Sequence, residues 1–137
     1  MQRPDASMSL QLQLSTTQLK EIIVIKQIDR DTLARKLAGA ARPVLVEALP
    51  EKYFNDWHLP GALHLPHDEV ASLAPTVLPE KAAEIVVYCA SRSCQNSHVA
   101  AAKLAQMGYE NVAVYAGGKQ EWSEAGMPIE RGEALAA

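Results

Sequence analysis

Short apolar runs separated by helical patterns constrain this chain more than any other feature. Ile22-Ile23-Val24-Ile25, Val44-Leu45-Val46, Ala62-Leu63-His64-Leu65, Ile85-Val86-Val87-Tyr88 and Val112-Ala113-Val114-Tyr115 are short and mostly aliphatic or β-branched. Each is too short for a helix and reads as a strand. A strand that is apolar along its whole length must be covered on both faces. The alternation of such strands with helices therefore predicts an α/β fold, a mainly parallel sheet flanked by helices on both faces.

The helices between the strands carry their own signals. Asp29 is placed to cap a helix in which Leu33, Leu37 and Ala38 recur at helical spacing, with Gly39 as its end. Pro50 opens a short helix holding Tyr53 and Phe54. Pro-Gly at Pro60-Gly61 marks a tight turn, and a helix over His67 to Leu73 is expected between Pro66 and Pro75, with a loop from Pro75 to Pro79. Ser97 to Met107 forms a stronger helix whose Val99, Ala100, Leu104 and Met107 share a face before Gly108 stops it. Gly117-Gly118 turns into a last helix holding Trp122, which ends at Gly126-Met127-Pro128.

The chain has 137 residues, 48% of them hydrophobic, enough for one core and no second one. Residues 19–131 are expected to form that domain, with tails at 1–18 and 132–137. In the first tail Leu10, Leu12 and Leu14 alternate with polar residues, so the segment is a candidate edge strand or an exchange segment between two copies, giving a homodimer. A net charge of -3 lacks the basic field of a general nucleic-acid binder. No apolar run approaches the roughly 20 residues of a membrane-spanning helix. Met1 to Ser15 shows no apolar core of a secretory signal, so a cytoplasmic location is expected. Two cysteines in such a chain argue for thiol chemistry or packing and against a disulfide framework.

The chemistry concentrates in one stretch, Tyr88-Cys89-Ala90-Ser91-Arg92-Ser93-Cys94-Gln95-Asn96-Ser97-His98. It joins the carboxyl end of a buried strand to the amino end of a helix, where open α/β sheets bind ligands. Its small and polar residues leave backbone amides free to turn inward as an anion-binding arc, with the helix dipole behind. A free cysteine titrates at about 8.5, and amides, a helix N-terminus or a cation lower that value. Cys89 at the mouth of the arc, with Arg92 nearby, is thus expected to be a nucleophile populated as thiolate near neutral pH. A buried structural cysteine is the plainer alternative.

The chain from about Leu19 to Glu130 resembles the rhodanese-like domains, the sulfurtransferase family. The resemblance rests on Val44-Leu45-Val46-Glu47, a strand ending in an acidic residue. It rests also on Phe54 and the turn Trp57-His58-Leu59-Pro60-Gly61-Ala62, similar to the family's G-H-I-P-G-A. Val87-Tyr88-Cys89 is similar to its active-site entry, and Val114-Tyr115-Ala116-Gly117-Gly118 with Trp122 to its closing G-G-x-x-x-W segment. The resemblance implies a five-stranded parallel sheet and a rhodanese-type sulfurtransferase without a cofactor or metal. In it, the Cys89 thiolate takes sulfane sulfur from a small anionic donor such as thiosulfate, holds it as a persulfide among the amides of Ala90 to Gln95, and passes it to a thiol or cyanide.

The chain departs from the family's pattern at several positions. Cys94 stands where many active members carry an arginine five residues after the cysteine, and Arg92 is the nearest cation in the loop. Glu47 replaces the usual aspartate, Leu49 an arginine, and Trp57 the glycine of the turn. Glu47 and His58 are expected to brace the loops. Lys119, at another strand-to-helix junction, is either an anion-attracting group in the same crevice or a solvated lysine. Cys94 is either a second, resolving thiol, given that five residues around a tight loop can bring two cysteines into disulfide range, or a space-filling residue. The motif C-A-S-x-x-C-x-x-S-H is similar to a known variant of the rhodanese loop. His98 sits at a helix start that disfavours its charged form. His64 and His67 have no metal-ligand spacing with Cys89.

Two rival readings follow. A redox-sensing or non-catalytic module of the same fold would use Cys89 and Cys94 as a thiol pair. A cysteine phosphatase or arsenate reductase would need a guanidinium fork for its tetrahedral anion, and Cys94 and Gln95 occupy the positions where that fork would start.

Overall fold

A computed structural model describes residues 25–132 of the chain. Five strands, β1 (Lys26–Ile28), β2 (Val44–Glu47), β3 (Leu63–His64), β4 (Glu84–Tyr88) and β5 (Asn111–Tyr115), form one sheet in the order β1-β5-β4-β2-β3. Every pairing in it is parallel. The helices are α1 (Arg30–Ala38), α2 (Glu51–Asp56), α3 (Val70–Val77), α4 (Asn96–Gln106) and α5 (Gly118–Glu124). No helix among the described residues is long and apolar enough to cross a membrane.

Side chains alternate across each strand, and this splits the core into two layers. Ile85 and Val87 of β4 face Val70 and Ala74 of α3 and Ala100 and Leu104 of α4. Val86 and Tyr88 face the other way, toward Leu33 of α1, Phe54 of α2 and Trp122 of α5. Helices thus cover both faces, as the continuous apolar runs require.

Several boundaries differ from the sequence expectation. The first strand is described over Lys26–Ile28, after the apolar run rather than within it. Ile25 packs against the core, while residues 22–24 lie outside the described residues, as do the expected edge strand and exchange segment at Leu10 to Leu14. An edge strand has one open side, so Lys26 and Gln27 can pair with Ala113 and Val114 while staying exposed. The third strand shrinks to Leu63–His64. The helix expected to stop before Pro75 runs through it to Val77. Proline removes a single helical N–H, and the next turn still closes, with the Leu78 amide donating to the Ala74 carbonyl at 2.7 Å. In α4 the buried stripe is Ser97, Ala100, Ala101 and Leu104, and Val99 is half exposed. Ser97 takes the core-facing place expected of Val99 because the stripe points at the loop that follows β4.

Candidate functional site

β4 lies in the middle of the sheet, and Cys89 follows its last residue. The thiol is therefore at the carboxyl edge of the most enclosed strand, and only 1% of Cys89 is exposed. Its sulfur lies 3.3 Å from the Ser97 hydroxyl oxygen and donates to the Cys94 carbonyl at 3.4 Å. The Cys94 amide donates to the Ser91 carbonyl at 3.0 Å, a turn that folds the loop back on its own beginning. Ala90, Arg92, Ser93 and Gln95 are exposed, and Ser91 and Cys94 are half-buried.

The start of α5 holds the loop from below. The Lys119 and Gln120 amides donate to the Cys89 and Ala90 carbonyls at 2.9 and 2.8 Å. This approach needs glycine at position 118. Gly118 has φ +64°, and a β-carbon there would run into the Cys89 carbonyl oxygen and come within 2.9 Å of the Ala90 carbonyl carbon.

A buried polar network stands beside the thiol. β2 and β4 pair so that Glu47 and Tyr88 are in register. Glu47 is fully buried and accepts from the Tyr88 hydroxyl at 2.7 Å and from Lys119 Nζ at 3.0 Å. Tyr88 in turn accepts from the Leu59 amide at 3.1 Å. Lys119 also donates to the Tyr53 carbonyl at 2.8 Å and lies 4.7 Å from the centre of the Trp57 ring. Burial pushes the Glu47 carboxyl above its ordinary value, against the pull of Lys119 and Tyr88. Burial, then the Glu47 charge, drives the Tyr88 phenol well above its own. Of the two roles open to Lys119, neither a free anion-attracting group nor a solvated lysine fits this arrangement, because its charge is committed to Glu47. Trp57, which replaces the glycine of the turn, is the face on which that ammonium rests.

His58 is buried, stacked on Phe54 at 4.0 Å, with Nδ1 donating to the Phe54 carbonyl at 2.8 Å. Its backbone exchanges two hydrogen bonds with Glu130 at 2.8 and 2.9 Å, tying the Trp57-to-Ala62 turn to the end of the domain. His64 is engaged with the Leu49 carbonyl at 2.7 Å.

Two expectations about the loop need correction. Arg92 does not turn toward Cys89. Its side chain is 69% exposed and pairs with Glu121 at 3.5 Å. Nor is the Cys89 thiol made acidic in this arrangement. Burial, followed by the hydrogen bond with Cys94, pushes it up, and the Ser97 hydroxyl and amide pull it down by less. Cys94 moves the other way. Burial raises it but is outweighed by the hydrogen bond from Cys89 and by the Ala90 and Asn96 amides, so its thiol is lowered. The Ala90 and Asn96 amides thus favour the Cys94 thiolate, and the Ser97 amide that of Cys89.

Ser97 is the neighbour of the Cys89 sulfur that sequence reasoning passed over. Its signal was its place in the first turn of the helix behind Cys89, where a short side chain can reach back to the loop. The bond from Tyr88 to Glu47 was not legible in the sequence, although the two residues end neighbouring strands.

A comparison of the whole sequence with family descriptions matches the rhodanese-like domain over residues 29–125. The chain belongs to the rhodanese-like domain family. It is 32% identical over 108 residues to a sulfurtransferase of Allochromatium vinosum, covering 77% of this chain and 95% of that protein. Among solved structures, thiosulfate sulfurtransferase from Pseudomonas aeruginosa is 28% identical with a TM-score of 0.67, covering 79% of this chain but 20% of that longer one. A rhodanese from E. coli solved with anions is also 28% identical, with a TM-score of 0.56, covering 66% of this chain and 99% of that one. These rhodanese relatives support sulfur transfer as the general chemistry of the chain.

Proposed function

We propose that this rhodanese-like domain moves sulfane sulfur from a small anionic donor such as thiosulfate to a thiol or cyanide acceptor, through a persulfide on Cys89. The observation that carries the reading is the Cys89 sulfur at the carboxyl end of the central strand, with the Ser97 hydroxyl 3.3 Å away. The Cys89 thiolate attacks the outer sulfur of thiosulfate, the sulfur–sulfur bond breaks, and sulfite leaves with the electron pair. The acceptor thiolate or cyanide then attacks that outer sulfur, and Cys89 leaves as a thiolate. The Ser97 hydroxyl and amide favour the anionic sulfur in both steps. Glu47, Lys119 and His58 act at one remove, by holding the strand ends and the neighbouring turn.

The test is sulfite release from thiosulfate by the reduced protein, with intact mass of a Cys94→Ser form. Sulfite from wild type, none from Cys89→Ser, and a gain of one sulfur atom on Cys94→Ser support the reading. Sulfite release that survives Cys89→Ser refutes it.

One observation favours a second reading, a redox-sensing module. The Cys89 sulfur lies 3.4 Å from the Cys94 carbonyl oxygen, which sets the two cysteines side by side as a reactive cysteine and its resolving partner would be. That reading predicts a peroxide-induced disulfide and no sulfite from thiosulfate. A phosphatase draws no support from the loop, because its one guanidinium faces Glu121.

A further inference from the structure

We infer that Cys94 resolves the Cys89 persulfide inside the loop: the Cys94 sulfur bonds to Cys89 Sγ, the bond to the outer sulfur breaks, and hydrosulfide leaves. The inference rests on the persulfide reading above and goes beyond it, because it makes sulfide a product of this chain with no external acceptor for the sulfur.

Three features of the loop point this way. The turn from Ser91 to Cys94 returns the second cysteine to the first, so that Cys89 Sγ lies 3.4 Å from the Cys94 carbonyl oxygen. Cys94 is also the more accessible thiol, half-buried where Cys89 is enclosed. An outer sulfur added to Cys89 extends about 2 Å beyond Sγ. Displacement at sulfur needs the attacking and leaving atoms on opposite sides of Cys89 Sγ, so the outer sulfur leaves on the side away from Cys94. Finally, the amides that face Cys94 favour its thiolate, the attacking form.

The step balances without an added oxidant. Thiosulfate and the two thiols give sulfite, hydrosulfide, one proton and the Cys89–Cys94 disulfide, and the two electrons come from the thiols. Only 1% of Cys89 is exposed, whereas Cys94 is half-buried. A dithiol reductant must therefore attack at Cys94 to reopen the loop, with Cys89 leaving beside Ser97. The class of reaction that follows this one is thiol–disulfide exchange.

The full-length reduced protein is mixed with one equivalent of thiosulfate and no other thiol, and intact mass, sulfite and sulfide are read together. Wild type is expected to release both sulfite and sulfide and to lose the mass of two hydrogen atoms, while Cys94→Ser and Cys94→Ala release sulfite alone and keep one extra sulfur. A wild type that keeps the extra sulfur and releases no sulfide overturns the inference and leaves the persulfide reading standing. Wild-type mass alone separates these two results, whatever the variants' folding. If no form gains sulfur or releases sulfite, from thiosulfate or from glutathione persulfide, both readings fall.

Discussion

Replacing Lys119 by methionine isolates the buried pair beside the Cys89 loop. Lys119 is 8% exposed and its partner Glu47 is fully buried, so no water takes the place of the lost ammonium. The Glu47 carboxylate would keep one donor, the Tyr88 hydroxyl at 2.7 Å. Removing one member of a buried ion pair costs about 3–5 kcal/mol, most of it the penalty of the charge left behind. The Tyr53 carbonyl loses its donor as well, which places the cost toward the upper part of that range. Burial already raises the Glu47 carboxyl above 4.5, and Lys119 opposes that rise, so the variant's carboxyl rises further. A carboxyl raised on folding destabilises the fold at every pH above its folded value. The penalty fades as pH falls through that value toward the ordinary one. Urea unfolding at pH 7 should therefore show a lower midpoint at unchanged slope, and a deficit against wild type that shrinks on acidification. Glu47→Gln combined with Lys119→Met should recover most of the loss, since the amide keeps a bond with Tyr88 and carries no charge. A deficit below about 1 kcal/mol, the scale of an exposed pair, or one that does not change with pH, would refute the argument.

Gly118→Ala should destabilise by about 1–2 kcal/mol from its positive φ alone, and sulfite release should fall further because the new β-carbon displaces the Cys89 carbonyl; equal activity would sink the close-approach account. Iodoacetamide should label Cys94 before Cys89, because burial raises the Cys89 thiol while Cys89 and the Ala90 and Asn96 amides lower that of Cys94, and peptide mapping at short times reads the order. Ser97→Ala should move the Cys89 alkylation profile to higher pH, since the hydroxyl lowers that thiol, and an unmoved profile would remove Ser97 from the site. Arg92→Ala should change stability by less than about 1 kcal/mol and leave Cys89 alkylation unaltered, because its pair with Glu121 is exposed.

Much of the fold could be read from local pattern. The apolar runs at β2, β4 and β5 are buried on both faces, so their composition alone marks them, and they agree with the structure within a residue. Asp29 and Gly39 bound α1 as their cap chemistry suggests. The misses occur where local pattern is weak. β1 is an edge strand of polar residues, β3 pairs over two residues, and α3 passes a proline that only its neighbours accommodate. At the site, the place of Cys89 was legible because strand ends and helix starts are local events. The partners of Lys119 were not, because Glu47, Tyr53 and Trp57 come together only through the pairing of β2 with β4 and the packing of α5 beneath the loop.

The sequence by itself determined an alternating α/β chain with a cysteine presented after a buried strand, since hydrophobic period and turn residues act over a few positions. Only the tertiary structure decided how far each cysteine is buried, where Arg92 points and what neutralises Glu47. Each of these depends on how a folded loop presents its dipoles and on which strand end becomes its neighbour, and that is settled by packing between residues far apart in the chain.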